Sequence, residues 1–88
     1  MNDIEIRKDK LLKGLENKYL SELTKEKVLD ELIELEIKEN VGKPGYETLT
    51  SRYGKGEGLN FIRKYVKSLV KNEGFKVGSA IAQFDSNF

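Results

Sequence analysis

Cysteine and histidine are both absent from this 88-residue chain. Without thiols there is neither a disulfide framework nor a cysteine zinc site, and without imidazole the usual transition-metal ligands reduce to carboxylates. Long apolar runs are lacking too, the longest uninterrupted aliphatic stretch being Ala80-Ile81-Ala82. The first twenty residues are dense in Lys, Asp and Glu. Neither a signal peptide nor a spanning helix is expected, and the protein is expected in the cytoplasm without membrane contact. Proline occurs once, at Pro44, and no low-complexity tract or internal repeat is present. A chain this short supports one domain, residues 1–88, and one modest core.

Net charge is small, +1 overall, but unevenly spread. Residues 1–42 hold 8 basic and 11 acidic side chains, or −3, whereas 43–88 hold 8 basic and 4 acidic, or +4. A nearly neutral protein with a positive half remains a candidate nucleic-acid binder, because affinity follows local phosphate contacts rather than total charge.

The basic half centres on Gly45–Gly74. Leu59, Ile62, Val66 and Leu69 recur at helical spacing, widened by Phe61, Tyr65 and Val70, and predict a helix over 59–72 with that face in the core. Asn60, Arg63, Lys64, Lys67 and Lys71 fall on the opposite side as a cationic ridge, with no acid before Glu73. Such a ridge suits a phosphate-lined groove, although lysines also serve simply to solvate a helix face. A shorter helix over 46–53 places Leu49 and Tyr53 four apart, and Gly54 is expected to end it in the left-handed conformation.

The run Pro44-Gly45-Tyr46-Glu47-Thr48-Leu49-Thr50-Ser51-Arg52-Tyr53-Gly54 resembles the first helix and turn of bacterial helix-turn-helix regulators and transposase-type DNA-binding domains. Ile62-Arg63-Lys64-Tyr65-Val66-Lys67-Ser68-Leu69 is similar to their recognition helix. In that pattern apolar residues precede the turn glycine by five and by one, as Leu49 and Tyr53 do, and branched residues such as Ile62 and Val66 pack beneath the recognition helix. The resemblance covers residues 44–84. Phe75 to Phe84 alternates around Gly78-Ser79, a pair able to make a two-residue hairpin turn, and so resembles the wing of a winged helix. An irregular tail folding back through Phe75, Val77, Ile81 and Phe84 is the other reading. The expected fold is thus mainly α, three to four helices with a C-terminal β-hairpin wing in the first reading.

In the acidic half, Ile4, Leu11, Leu12, Leu15 and Tyr19 predict a helix over 4–20, interrupted only by Gly14. Its narrow stripe at Leu11, Leu15 and Tyr19 either packs within the monomer or pairs with a second copy. Thr24 is read as the N-cap of a helix over 25–39, with Leu23 and Val28 as its hydrophobic staple. Val28, Leu29, Leu32, Ile33, Leu35 and Ile37 make that helix apolar on one side, while Glu26, Asp30, Glu31, Glu34, Glu36 and Glu39 make it acidic on the other, a side expected to face away from DNA. The core is expected to include Leu29, Leu32, Ile33, Leu49, Tyr53, Ile62, Val66 and Leu69. Asn40 to Gly45 is a loop at the junction of the two halves.

No catalytic constellation accompanies these elements. The carboxylates show no Asp-rich loop or partner base at a defined spacing, and the glycines at 54, 56 and 58 lack the Gly-Lys-Ser/Thr ending of a phosphate-binding loop. No enzyme activity, metal or cofactor is expected. The leading expectation is a small DNA-binding protein, a transcription regulator or a phage- or mobile-element accessory factor, that binds double-stranded DNA as a homodimer with 59–72 as recognition helix. Its contact set is Thr48, Arg52, Lys55, Asn60, Arg63, Lys64, Lys67, Lys71 and Lys76, with Asn60 and Arg63 reading base edges, the lysines holding phosphates, and Lys76 reaching DNA only from a wing. The alternative is a protein-interaction module or phage-encoded inhibitor that meets a host protein through Leu11, Leu15 and Tyr19 or through the acidic face of 26–39.

Overall fold

A computed structural model describes residues 2–55 and 57–88, so Gly56 of the expected glycine-rich turn lies outside the described residues. Five helices follow one another: α1 (Asp3–Leu15), α2 (Glu22–Asn40), α3 (Glu47–Tyr53), α4 (Gly58–Glu73) and α5 (Val77–Asn87).

Asn2 caps α1 by accepting the Glu5 N–H at 2.8 Å. The helix stops five residues short of the expected Leu20, since Asn17 bonds the Tyr19 N–H (2.9 Å) and turns the chain locally. The N-cap of α2 is Ser21 rather than Thr24, its hydroxyl oxygen accepting the Thr24 N–H at 3.2 Å. Leu23 is 68% exposed, so the expected staple is not made. The short connection leaves α1 and α2 as an antiparallel hairpin. Arg7 grips Glu31 through two nitrogens, and Lys8 reaches Glu36 (2.6 Å) and Glu39 (2.7 Å). Burial alone would lower the Lys8 pKa, but the hydrogen bonds it donates to Glu36 and Glu39 outweigh it and hold the ammonium above the usual lysine range.

Residues 75–84 form no wing, and no strand occurs among the described residues. Val77, Ala80, Ile81 and Phe84 repeat at i, i+3, i+4 and i+7, and all four are buried on one side of α5. That pattern buries apolar area on a single helical face, whereas a hairpin turning at Gly78-Ser79 would set Ala80 and Ile81 on opposite faces. The other reading, an irregular tail, is corrected in its form: Val77, Ile81 and Phe84 do fold back into the core with Phe75 against it, but from Val77 onward as regular helix. Gly74, at φ 73°, ends α4, and the Phe75 N–H closes back on the Leu69 carbonyl at 3.2 Å. The mainly α expectation holds, with five helices in place of three to four and no hairpin among the described residues.

The core lies where α2, α3, α4 and α5 converge. Leu32, Ile33, Ile37, Leu49, Ile62, Val66, Ile81 and Phe84 are all but inaccessible to solvent there, and Leu11 adds α1 to it. Ile62 and Val66 face inward as the helical phase requires, while Tyr53 and Leu69 are half-buried against the core rather than inside it.

Candidate nucleic-acid interface

The hairpin of α3 and α4 is set by one close approach. A Cβ on Gly58 would lie 1.6 Å from the Arg52 carbonyl oxygen, so the first turn of α4 rests directly on the last turn of α3. Gly54 does not take the left-handed conformation: its φ is −75° and α3 simply runs out into the turn. The N-terminus of α3 has no local side-chain cap. Asp85 of α5 supplies one, accepting the Leu49 N–H at 2.8 Å. The loop before α3 is held by Thr50, whose hydroxyl donates to the Tyr46 carbonyl (2.7 Å) and accepts the Gly42 N–H (2.8 Å). Glu47 accepts the Gly45 N–H at 3.2 Å, and backbone hydrogen bonds, its own N–H first and then Gly45, hold its carboxyl below the ordinary value.

The cationic ridge is present on α4 but is largely consumed within the chain. Lys67 lies 2.8 Å from Glu26 and 2.7 Å from Asp30, Lys71 also pairs with Glu26, and Arg63 stands 3.9 Å from Glu34. The acidic side of α2 therefore faces the ridge instead of pointing away from it. Apolar packing of α2 on α4 brings the flanking charges of both helices to one seam, where opposite signs attract. Hydrogen bonds from Lys67 and then Lys71 lower the Glu26 pKa to about 2, and the hydrogen bonds that Lys67 donates to Asp30 and then Glu26 raise its own.

Of the expected contact residues, Asn60, Arg63, Lys64 and Lys67 do come together, around a cleft of about 210 Å³ shared with Asp30. Arg63 Nε is buried there and makes no hydrogen bond. Thr48, Arg52 and Lys55 form a second group, lining a cleft of about 320 Å³ with Glu47, Ser51 and Phe88. Arg52, Lys55 and Lys64 pair with no carboxylate among the described residues. Lys76 stands apart: it follows the C-terminal end of α4, about 20 Å of helix from Asn60, and lines an apolar groove with Leu12, Leu15 and Phe75. It reaches no part of the α3–α4 surface by way of a wing.

Residue patterning alone missed an aromatic cluster beside this surface. Phe61 and Phe88 are 44% and 45% exposed, and their rings meet edge to face with centroids 5.3 Å apart. Buried Phe84 lies beneath both, at 5.9 Å from Phe61 and 4.9 Å from Phe88, and Tyr65 closes the cluster. The Arg52 guanidinium sits 5.9 Å from the Phe61 centroid and 5.8 Å from that of Phe88. Phe61 is legible in sequence only as a wide edge of the core stripe, and Phe88 only as an aromatic after a polar segment; the helical period joining Phe84 to Phe88 is the signal that could have found the pair.

For the dimer stripe, Leu11 is buried within the chain and Leu15 half-buried against the core, leaving Tyr19, 88% exposed, as its solvent-facing member. Among the described residues no helix is long and apolar enough to cross a membrane, and no cluster of potential metal ligands occurs. No family model, curated protein or solved structure matches the chain.

Proposed function

We propose that the chain binds nucleic acid through the outer side of the α3–α4 hairpin, with Thr48, Arg52, Lys55, Asn60 and Lys64 as its contact set, and acts as a small regulator or accessory factor. The charge state of that surface carries the reading: Arg52, Lys55 and Lys64 are unpaired among the described residues, while Lys67 and Lys71 a short way round α4 are not. An unpaired surface cation exchanges its counterions for phosphate at once. Lys67 and Lys71 must first give up Glu26 and Asp30, so they add less affinity than their number suggests. The working edge of α4 is accordingly Asn60–Lys64.

Fluorescence anisotropy of a labelled short oligonucleotide, single- and double-stranded, tests this at low salt. Binding should weaken steeply as salt rises, and Lys55→Glu with Lys64→Glu should abolish it while Lys76→Glu changes little. Failure of the wild type to bind, or indifference to the double substitution, rejects the reading.

One observation favours a protein partner instead. A groove of about 430 Å³ between α1, α2 and the α4–α5 connection is lined by Leu12, Leu15, Leu29, Leu32, Val70 and Phe75, with exposed Tyr19 and Leu23 at the same end of the α1–α2 hairpin. Contact there, whether with a host protein or a second copy, would be nearly insensitive to salt. Sedimentation across a concentration series distinguishes self-association, which Tyr19→Asp should weaken without disturbing the buried Leu11.

A further inference from the structure

The two clefts flanking Arg52 are built alike. One joins Arg52 and Lys55 to Phe88 and Glu47, in about 320 Å³; the other joins the same Arg52 and Lys55 to Phe61 and Glu57, in about 240 Å³. Each therefore offers a half-exposed aromatic ring, two shared cations and one carboxylate. We infer that these clefts receive unstacked bases of a single-stranded nucleic acid, Phe61 and Phe88 serving as stacking platforms and Arg52 and Lys55 holding the phosphates between them. This rests on the nucleic-acid reading and names the form of the ligand.

Ring geometry favours a single strand over a duplex. Phe61 and Phe88 stand at 88° to each other, so their ring planes face different directions, with the Arg52 guanidinium over both. Duplex bases are locked in one parallel stack and cannot meet both faces, whereas a single strand turns freely at each nucleotide and can splay successive bases onto separate platforms. The platforms are firm because Phe84, fully buried, backs both rings, and Tyr65, held by Asn87 at 3.0 Å, braces Phe88. A base entering either cleft would cover apolar surface of a residue that is 44% or 45% exposed, and the Arg52 guanidinium over the rings can stack on that base in turn. The carboxylates of Glu47 and Glu57 are acceptors suited to exocyclic amino groups of the splayed bases.

Three probes test it: a single-stranded oligonucleotide, the same length of abasic strand, and the duplex. The single strand should bind more tightly than either of the others. Phe61→Leu and Phe88→Leu, which keep an apolar contact with Phe84 and should leave the helical circular dichroism intact, should each weaken single-strand binding roughly five- to a hundredfold and leave the abasic strand unaffected. Phe ring protons should shift upfield on adding the base-bearing strand and not on adding the abasic one. Equal affinity for strand and abasic probe, or tighter binding of duplex, overturns the stacking inference while leaving phosphate binding by Lys55 and Lys64 in place. No binding of any probe removes both. A concentration-dependent dimer dissolved by Phe61→Leu, with no preference among probes, would assign the Phe61–Phe88 surface to a second copy and also overturn the inference.

Discussion

Asp85 Oδ1 accepts the Leu49 N–H at 2.8 Å, so the last helix caps the third across 36 residues of chain. Leu49 is the third residue of a seven-residue helix whose own flanking residue, Tyr46, makes no side-chain cap. A helix that short is marginal without such help. Asp85→Ala should destabilise the protein by about 0.5 to 2 kcal/mol in a urea melt, and Asp85→Asn, which keeps the acceptor oxygen, by clearly less. Equal losses for the two would mean that the hydrogen bond is unimportant.

Two glycines in one connection should respond oppositely to alanine. At Gly58 an added Cβ meets the Arg52 carbonyl oxygen at 1.6 Å, and α3 and α4 would have to part. Gly58→Ala should cost at least the about 1 to 3 kcal/mol typical of overpacking. Gly54 has an ordinary φ of −75° and its nearest atom lies 3.8 Å from the added carbon, so Gly54→Ala should stabilise by about 0.4 to 1 kcal/mol. Chemical denaturation of the two variants decides both.

The α2–α4 seam should be sensitive to acid. Glu26 is held near pKa 2, below its ordinary 4.5, so its pairing with Lys67 and Lys71 contributes stability above about pH 4.5 and loses it as pH falls through about 2. Lys67 is raised, so its share is present below the ordinary lysine value and lost only as pH rises beyond it. Thermal melts of wild type and Glu26→Gln should differ at pH 7, converge as pH drops towards 2, and differ less in high salt. A difference in Tm that stays constant from pH 7 to 2 would show the pairing to be silent.

Loosening the same seam should strengthen nucleic-acid binding. Glu26→Gln with Asp30→Asn leaves Lys67 and Lys71 without their carboxylates. Affinity at low salt should rise, and the salt slope should steepen by about 0.7 to 0.9 for each lysine that now meets a phosphate. An unchanged slope would keep the ridge out of the interface.

The apolar periodicities of α2 and α4 were legible in the sequence because helical phase depends only on local spacing: Leu32, Ile33, Ile62 and Val66 lie inside as their positions require. The helical hairpin of α3 and α4 was legible for the same reason. Val77, Ala80, Ile81 and Phe84 carried an equally local signal, obscured by a Gly-Ser pair that suits a turn in isolation but is carried through α5 once those four side chains have a core to enter. The site was less visible. Spacing put Arg63, Lys67 and Lys71 on one side of a helix, and it put Glu26, Asp30 and Glu34 on one side of another, but a charge's partner depends on which helices pack together. Only the tertiary structure brought those two rows to one seam, left Arg52, Lys55 and Lys64 unpaired among the described residues, and set Arg52 and Lys55 beside Phe61 and Phe88, because attraction between charges acts through space, and distance in space is what folding decides.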